Sequence, residues 1–167
     1  MVTLYHGTTV SFETPDLSKS RKGMDFGSGF YATPNRESAE RWAKKLSYLR
    51  RNGDPVVLSF SFDEDGARAA GLVKDFLAMN IDWVKFVLAN RQEEFSANEH
   101  NLDNRYDIVH GYIADDRLMQ IIDDYSRGDL TAEEVEFRLA HAPVKTFQYS
   151  FHSERALSFL GKGVVVI

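Results

Sequence analysis

Near its N-terminus the chain reads Leu4-Tyr5-His6-Gly7-Thr8, and a second stretch follows as Asp25-Phe26-Gly27-Ser28-Gly29-Phe30-Tyr31. A third stretch, Phe147-Gln148-Tyr149-Ser150-Phe151, lies close to the C-terminus. Each contains a predicted β-strand, because β-branched or aromatic residues alternate with polar or small ones. Each also sets a polar or aromatic side chain beside a glycine or another strand, so the three stretches are the first candidates for a functional site.

The third stretch has the clearest alternation. Its aromatic residues point to one face of the predicted strand, and a polar row points to the other: Thr146, Gln148, Ser150 and His152. We therefore expect polar surroundings on that side of the strand. His152, at the end of the row, is expected at the surface.

Further elements follow outward from these stretches. Thr33-Pro34 predicts the start of a helix, with an apolar face of Ala39, Trp42, Ala43, Leu46 and Leu49. The other predicted elements are a strand over 56–62, a helical region over 66–94 in two pieces with Asp82 as a cap, a strand over 106–114, a helix over 115–125 with Asp115 as N-cap, a capping box over 131–134, a short helix from Ser153 and a strand over 163–167. Strands at both ends with helices between them predict an α+β fold.

Composition favours one globular domain over residues 1–167. The 167 residues are 43% hydrophobic and 27% charged, which excludes a chain that is disordered throughout. No cysteine is present, which excludes disulfides and thiolate zinc sites, and the five histidines lack metal-motif spacing, so we expect no metal. Apolar runs are too short to cross a bilayer and no secretory signal is recognisable, so we expect no membrane contact and a cytoplasmic location.

The net charge of -5 is unevenly distributed. Residues 1–51 hold nine Lys and Arg against five Asp and Glu, whereas residues 52–167 hold eleven against twenty. An anionic ligand would therefore prefer the N-terminal third. A domain that binds nucleic acid through this region is one reading, although the acidic remainder of the chain would repel phosphate.

The three stretches, in this order, resemble the ADP-ribosyltransferase superfamily. There a first strand carries His in a His-Gly-Thr setting, a middle strand carries Tyr in a Gly-x-Tyr setting, and a late strand carries a third residue, most often Glu. Together with Tyr106-Asp107-Ile108-Val109-His110-Gly111, they make nearly the whole chain similar to an uncharacterised bacterial family of that superfamily. The resemblance implies a split β-sheet core with inserted helices.

It also implies NAD as the substrate and a catalytic set of His6, Tyr31 and Gln148. His6 would hydrogen-bond the adenosine ribose, the backbone of Gly7 would hold the nicotinamide carboxamide, and Tyr31 would stack on the nicotinamide ring. The other residues assigned to the NAD site are Thr8, Gly29 and Arg21, the last in a basic loop where a guanidinium would suit the pyrophosphate.

Gln148 departs from the superfamily pattern, because an amide carries no charge and cannot act as a general base at neutral pH. Two consequences are open. Either ADP-ribose passes to an acceptor that is already nucleophilic, or activity is reduced and the fold serves binding. Under either consequence, Ser150, His152 and Glu154 are candidates for supplying the missing polarity.

The resemblance thus implies an enzyme that releases nicotinamide and transfers ADP-ribose to a protein, nucleic acid or small molecule. Members of such families often are bacterial toxins or phage-defence effectors, which adds a neutralising protein as a partner class. The main alternative is a noncatalytic module that binds NAD or ADP-ribose, and a generic α+β domain with unrelated chemistry is a further one. Asp107 and His110 have no implied role, with contact to the acceptor as one option.

Overall fold

The computed structural model describes residues 1–51, 53–92, 94–143 and 146–167. Strands within this part of the chain are β1 (Val2–Thr8), β2 (Phe30–Ala32), β3 (Val56–Phe62), β4 (Val73–Phe76), β5 (Ile108–Tyr112), β6 (Phe147–Phe151) and β7 (Val164–Val165). Helices are α1 (Arg36–Arg50), α2 (Glu64–Ala69), α3 (Ile81–Arg91), α4 (Asp116–Ser126), α5 (Ala132–Ala140) and α6 (Glu154–Leu157). A 3-10 turn covers Leu17–Lys19. The predicted α+β class is confirmed.

The strands form two sheets, ordered β1-β3-β7 and β2-β6-β5-β4. All pairings are antiparallel except β4 with β5. In the described residues the edge strands of the two sheets, β1 and β2, join at an antiparallel bridge between Tyr5 and Thr33. The three stretches that opened the sequence thus lie on neighbouring strands, with β2 between β1 and β6.

Two large apolar clusters hold this arrangement, together with a small one that packs Ala39 and Ala43 of α1 against Val57. One packs α3, α4 and α5 against the second sheet around the fully buried Trp83, Phe86 and Ile122. The other lies between the sheets around Phe60 and Phe151. Each fully buried side chain of this size contributes ~1.5–3 kcal/mol to the free energy of folding. Among the described residues no helix is long and apolar enough to cross a membrane.

Helix α1 begins two residues later than Thr33-Pro34 predicts. Asn35 is the N-cap, its side chain accepting from the Ser38 N–H, because Thr33 is held in the bridge and its hydroxyl donates to the Phe147 carbonyl. The apolar face is also narrower than predicted. Ala39, Ala43 and Leu46 are buried, but Trp42 and Leu49 are 40% and 63% exposed.

The region from 66 to 94 was predicted to be helical in two pieces, which misses β4. Its four residues have no clear alternation, and they become a strand through parallel pairing with β5. Asn80 caps α3 instead of Asp82. The predicted caps Asp115 and Thr131 are confirmed, and Thr131 with Glu134 forms a full capping box. The short helix predicted from Ser153 is α6, with Ser153 as its N-cap.

Candidate functional site

The two sheets separate immediately after the Tyr5–Thr33 bridge. Tyr5 N–H donates to Thr33 O at 2.7 Å, and Thr33 N–H donates to Tyr5 O at 2.9 Å. The same antiparallel register would next set Gly7 opposite Tyr31 and pair their backbones. Instead Nδ1 of His6 lies 2.7 Å from the Tyr31 carbonyl oxygen and occupies it. His6 therefore takes the acceptor that the ladder would need in order to continue.

As a result the peptide groups of Gly7 are left unpaired. On the β3 side, Val57 N–H donates to Ile167 O and Val57 O accepts from Val166 N–H, so Gly7 and Val57 form a non-hydrogen-bonded pair. The Gly7 N–H and C=O therefore face the split, and neither has a partner among the described residues. One donor and one acceptor stand side by side on the same strand edge.

Gly7 is also required for packing. A Cβ atom at this position would lie 2.1 Å from the carbonyl oxygen of Ala39 in α1. The glycine thus lets β1 and α1 approach closely on one side while its backbone faces the split on the other. Thr8, the next residue, is buried, and its hydroxyl accepts from Val10 N–H at 3.3 Å.

The protonation of His6 follows from its partner. A carbonyl oxygen only accepts, so Nδ1 carries the proton. Burial between the rings of Phe12 and Phe30 lowers the pKa of His6, with centroid distances of 5.7 and 4.7 Å, and the imidazole is neutral at pH 7. Its Nε2 is then a hydrogen-bond acceptor, and it has no partner among the described residues.

The side chain of Tyr31 holds the glycine-containing loop. Its hydroxyl donates to Gly27 O at 2.6 Å and accepts from Phe26 N–H at 2.9 Å. Its ring lies 6.3 Å from the Phe26 ring and meets His152 edge-on, also at 6.3 Å between centroids. Burial, with Asp25 as a lesser cause, raises the pKa of Tyr31 well above its ordinary value, so the phenol stays neutral.

Gln148 lies on the same face of the second sheet as Tyr31, because Tyr31 pairs with Ser150 and Gln148 is two residues away along β6. Its Nε2 donates to Oδ2 of Asp25 at 2.9 Å. The Ala114 N–H donates to the same oxygen at 3.1 Å, and the Arg91 guanidinium binds Oδ1 through Nε at 2.7 Å and through Nη2. Asp25 is thus a buried carboxylate with four donors.

Sequence reasoning missed Asp25 and Arg91 as members of this site. Asp25 was visible only as the first residue of a glycine-containing loop, where aspartate is common for reasons of turn geometry. Nothing in the sequence indicated that it is 4% exposed or that its partner is 66 residues away.

Ser150 and His152 of the polar row form a second buried group. His152 is 5% exposed, which contradicts the expected surface position, and burial lowers its pKa to about 4. Its Nδ1 donates to Ser28 O at 2.7 Å, and its Nε2 accepts from Ser150 Oγ at 2.8 Å. A Cβ atom at Gly29 would lie 2.6 Å from His152 Nδ1, so packing against this ring already requires the glycine.

The basic loop that contains Arg21 and Lys22 contributes no side chain to the hydrogen bonds described above for Asp25, Gln148 and His152. Arg21 is exposed, and its neighbour Lys22 lines a cavity of about 770 Å³. Its lining also includes residues of the glycine-containing loop and of α3, among them Gly27, Ser28, Asn90 and Arg91. Arg91 therefore lies between this cavity and the buried Asp25.

Asp107 and His110 have structural partners. Asp107 accepts from the Ser153 hydroxyl, and His110 Nδ1 lies 2.8 Å from Asp75. The His110 ring stacks on Tyr149 with centroids 4.1 Å apart. Over the described ranges no group of three or more His, Asp or Glu residues is arranged to hold a metal ion.

The predicted residues are brought together in part. Tyr31 and Gln148 share one face of the second sheet, whereas the His6 ring lies with the cluster between the sheets and meets Tyr31 through its backbone carbonyl. The unpaired peptide groups of Gly7 lie where the sheets part. The site is therefore a split with a different polar group on each side.

Comparison with known proteins gives one family. Residues 2–161 match the profile of a family described as "Protein of unknown function (DUF3990)". No curated protein and no solved structure matches the chain. Because the matched residues cover nearly the whole chain, the protein belongs to the DUF3990 family.

Proposed function

We propose that the split pair of sheets is an ADP-ribosyltransferase-like fold and that the protein transfers ADP-ribose from NAD to an acceptor with release of nicotinamide. The observation that carries this proposal is the unpaired N–H and C=O of Gly7 at the split, next to His6. A nicotinamide carboxamide has one carbonyl acceptor and an NH₂ donor. It complements the two peptide groups of a single residue on a strand edge.

The groups around Gly7 suit the rest of the dinucleotide. His6 Nε2 is an acceptor, and a ribose hydroxyl is a donor that can meet it. On the other side of β2, the Tyr31 ring supplies an aromatic surface and Gln148 a polar group. An extended ligand that spans the split would touch both sides, and Arg21 remains the proposed contact for the pyrophosphate.

The chemistry needs little acid–base help at the leaving group. The bond from ribose C1 to the nicotinamide nitrogen breaks with its electron pair on nitrogen, so nicotinamide leaves neutral and positive charge develops on the ribose. The acceptor nucleophile then bonds to C1 and gives its proton to solvent or to a base of its own. The protein's contribution is to hold the reacting groups in position and to orient the ribose hydroxyls.

Gln148 supports a second candidate, a noncatalytic module that binds NAD or ADP-ribose. Its amide brings no negative charge to the developing cation, and its nitrogen is already engaged by Asp25. This candidate differs from the first in one observable, because it would bind the dinucleotide without releasing nicotinamide.

The test is to incubate the protein with NAD labelled in its adenylate part and a cell extract, and to measure nicotinamide release and label in the protein and nucleic-acid fractions. His6→Ala is the test variant, and His141→Ala, an exposed histidine at the end of α5, is the matched control. Label that requires His6 but not His141 supports the transferase. NAD binding by calorimetry without nicotinamide release supports the module, and neither binding nor release contradicts both.

A toxin or phage-defence role with a neutralising protein partner belongs to the same proposal. Growth arrest on expression in bacteria, lost in His6→Ala, is the expected result. Normal growth at high expression of a protein that is active in vitro would contradict it.

A further inference from the structure

The amide of Gln148 has only one orientation open to it. Asp25 accepts four hydrogen bonds, two of them from a guanidinium, and an ionised carboxylate has no proton to donate. The side chain of Gln148 must therefore turn its NH₂ group towards Asp25. Its oxygen, Oε1, then points away from the carboxylate.

That oxygen is not sealed from solvent. Within the described residues, Trp83 Nε1 is the one side-chain nitrogen or oxygen that is both sealed from solvent and without a hydrogen-bond partner. Oε1 of Gln148 also has no hydrogen-bond partner among the described residues. Because Trp83 Nε1 is the one such atom that is sealed, Oε1 must reach solvent, although the Gln148 side chain as a whole is only 8% exposed. Oε1 of Gln148 is thus a fixed hydrogen-bond acceptor on the face of the second sheet where Tyr31 also lies.

We propose that Asp25, held by Arg91, is a positioning residue that fixes the Gln148 amide so that Oε1 accepts a hydrogen bond from a ribose hydroxyl of the bound dinucleotide. This inference rests on the proposed function, since it names the contact that Gln148 makes with the same ligand. Asp25 touches neither ligand nor reacting atoms. Its effect passes through Gln148 alone.

The same geometry explains why glutamine occupies this position. A glutamate at 148 would set a second carboxylate about as close to Asp25 as the present 2.9 Å hydrogen bond, and like charges at that distance oppose ionisation of both groups. An amide keeps one acceptor oxygen facing the ligand and gives Asp25 the donor that it needs. Gln148 therefore supplies an acceptor oxygen, as the glutamate usual in the superfamily would, but it carries no negative charge.

The test exchanges the two groups. Asp25→Asn keeps its oxygen towards Arg91 and presents its NH₂ group to Gln148 and to the Ala114 N–H. The Ala114 N–H then loses its acceptor, and the glutamine flips and turns a donor towards the ligand. We expect nicotinamide release to fall at least tenfold in kcat with little change in the KM for NAD. The kcat of Gln148→Glu is expected to fall by a similar factor, because the new carboxylate faces that of Asp25.

The double variant Asp25→Asn with Gln148→Glu restores the hydrogen bond with its direction reversed, and one glutamate oxygen again faces the ligand. We expect kcat at least tenfold above that of Asp25→Asn, which lacks the same acceptor for the Ala114 N–H. A merely structural role for the Asp25 carboxylate predicts no recovery over Asp25→Asn, since both variants lack that carboxylate. Asp129→Asn, an exposed partner of Arg127, is the control for the substitution itself.

A second readout does not depend on NAD. In ¹⁵N-labelled protein, an Nε2 proton of Gln148, assigned by its loss in Gln148→Leu, should exchange slowly with solvent and become fast in Asp25→Asn. Absence of turnover in the native protein would remove the proposed function and leave this measurement to decide the positioning. Fast exchange in the native protein, or native kcat in Asp25→Asn, would overturn the inference.

Discussion

The Nδ1 atom of His6 lies 2.7 Å from the backbone carbonyl oxygen of Tyr31, in the place that the Gly7 N–H would take if β1 and β2 continued as one ladder. One side chain thereby ends the pairing of two strands and leaves the peptide groups of the next residue, the buried Gly7, without partners among the described residues. The split between the sheets is thus maintained by a hydrogen bond from a neutral imidazole. His6 has a structural role at the split in addition to its proposed contact with ribose.

We predict that His6→Ala weakens NAD binding at least tenfold for two reasons: it removes the Nε2 acceptor, and it frees the Tyr31 carbonyl to pair with the Gly7 N–H. Loss of the hydrogen bond itself is expected to cost ~0.5–1.5 kcal/mol of unfolding free energy. Calorimetric titration with NAD and urea unfolding measure the two effects. Native affinity in a variant that unfolds with the expected small loss would contradict the placement of NAD at the split.

For Tyr31, phenylalanine and alanine variants separate the hydroxyl from the ring. Tyr31→Phe leaves the Phe26 N–H and the Gly27 carbonyl without their partner, which costs ~1–3 kcal/mol of unfolding free energy. It keeps the aromatic surface, so NAD affinity should change less than threefold. Tyr31→Ala should lose stability and affinity together. Equal NAD affinity in both variants would show that the ring does not contact the ligand.

The strands of the site could be predicted from the sequence because each has a local signal. The alternation around Gln148 predicted a polar row on one face, and the structure buries Gln148, Ser150 and His152 there. The α+β class followed from the same kind of pattern. Local patterns with a period of two residues are thus sufficient to find strands that are half apolar.

The predictions that were wrong or missing concern contacts between residues that are distant in sequence. β4 becomes a strand only through its pairing with β5, and Thr33 is drawn out of the predicted helix start by Tyr5 and Phe147. The pairing of Asp25 with Gln148 spans 123 residues, and no local signal marks it. The residue that orients the proposed catalytic amide was therefore beyond sequence reasoning.

Gly7→Ala is predicted to destabilise the fold strongly. The added Cβ would stand 2.1 Å from the carbonyl oxygen of Ala39, which is backbone and cannot turn away, so β1 and α1 must move apart. We expect a loss of ~1–3 kcal/mol or more. Gly128→Ala is the comparison, because its φ of 79° is strained for alanine but nothing lies within 4 Å of the added atom. A loss in Gly7→Ala no larger than in Gly128→Ala, by urea unfolding, would contradict the packing role.

Arg91 is predicted to be essential for stability through Asp25. Arg91→Met removes the guanidinium and leaves a carboxylate that is 4% exposed without its counter-charge. Breaking such a pair from one side costs ~3–5 kcal/mol. Adding Asp25→Asn to Arg91→Met should recover part of the loss, because the buried charge is then gone. Thermal unfolding of the two variants at pH 7 measures this, and a double variant less stable than Arg91→Met would contradict it.

Finally, His152 makes stability depend on pH in a defined direction. Its pKa is about 4 in the folded protein, against ~6.5 for an unfolded chain, so the unfolded state binds the proton more tightly. The contribution of His152 is fully present above pH ~6.5 and is lost as pH falls towards 4, by about 3 kcal/mol in total. Urea unfolding at pH 7 and pH 4.5 should show this loss in the native protein and a smaller one in His152→Asn, whose amide can replace the donor to Ser28.

Since burial also lowers the pKa of His6, His6→Asn is measured beside His152→Asn as a control. An equal pH dependence in the native protein and His152→Asn would exclude His152 as a source of acid sensitivity.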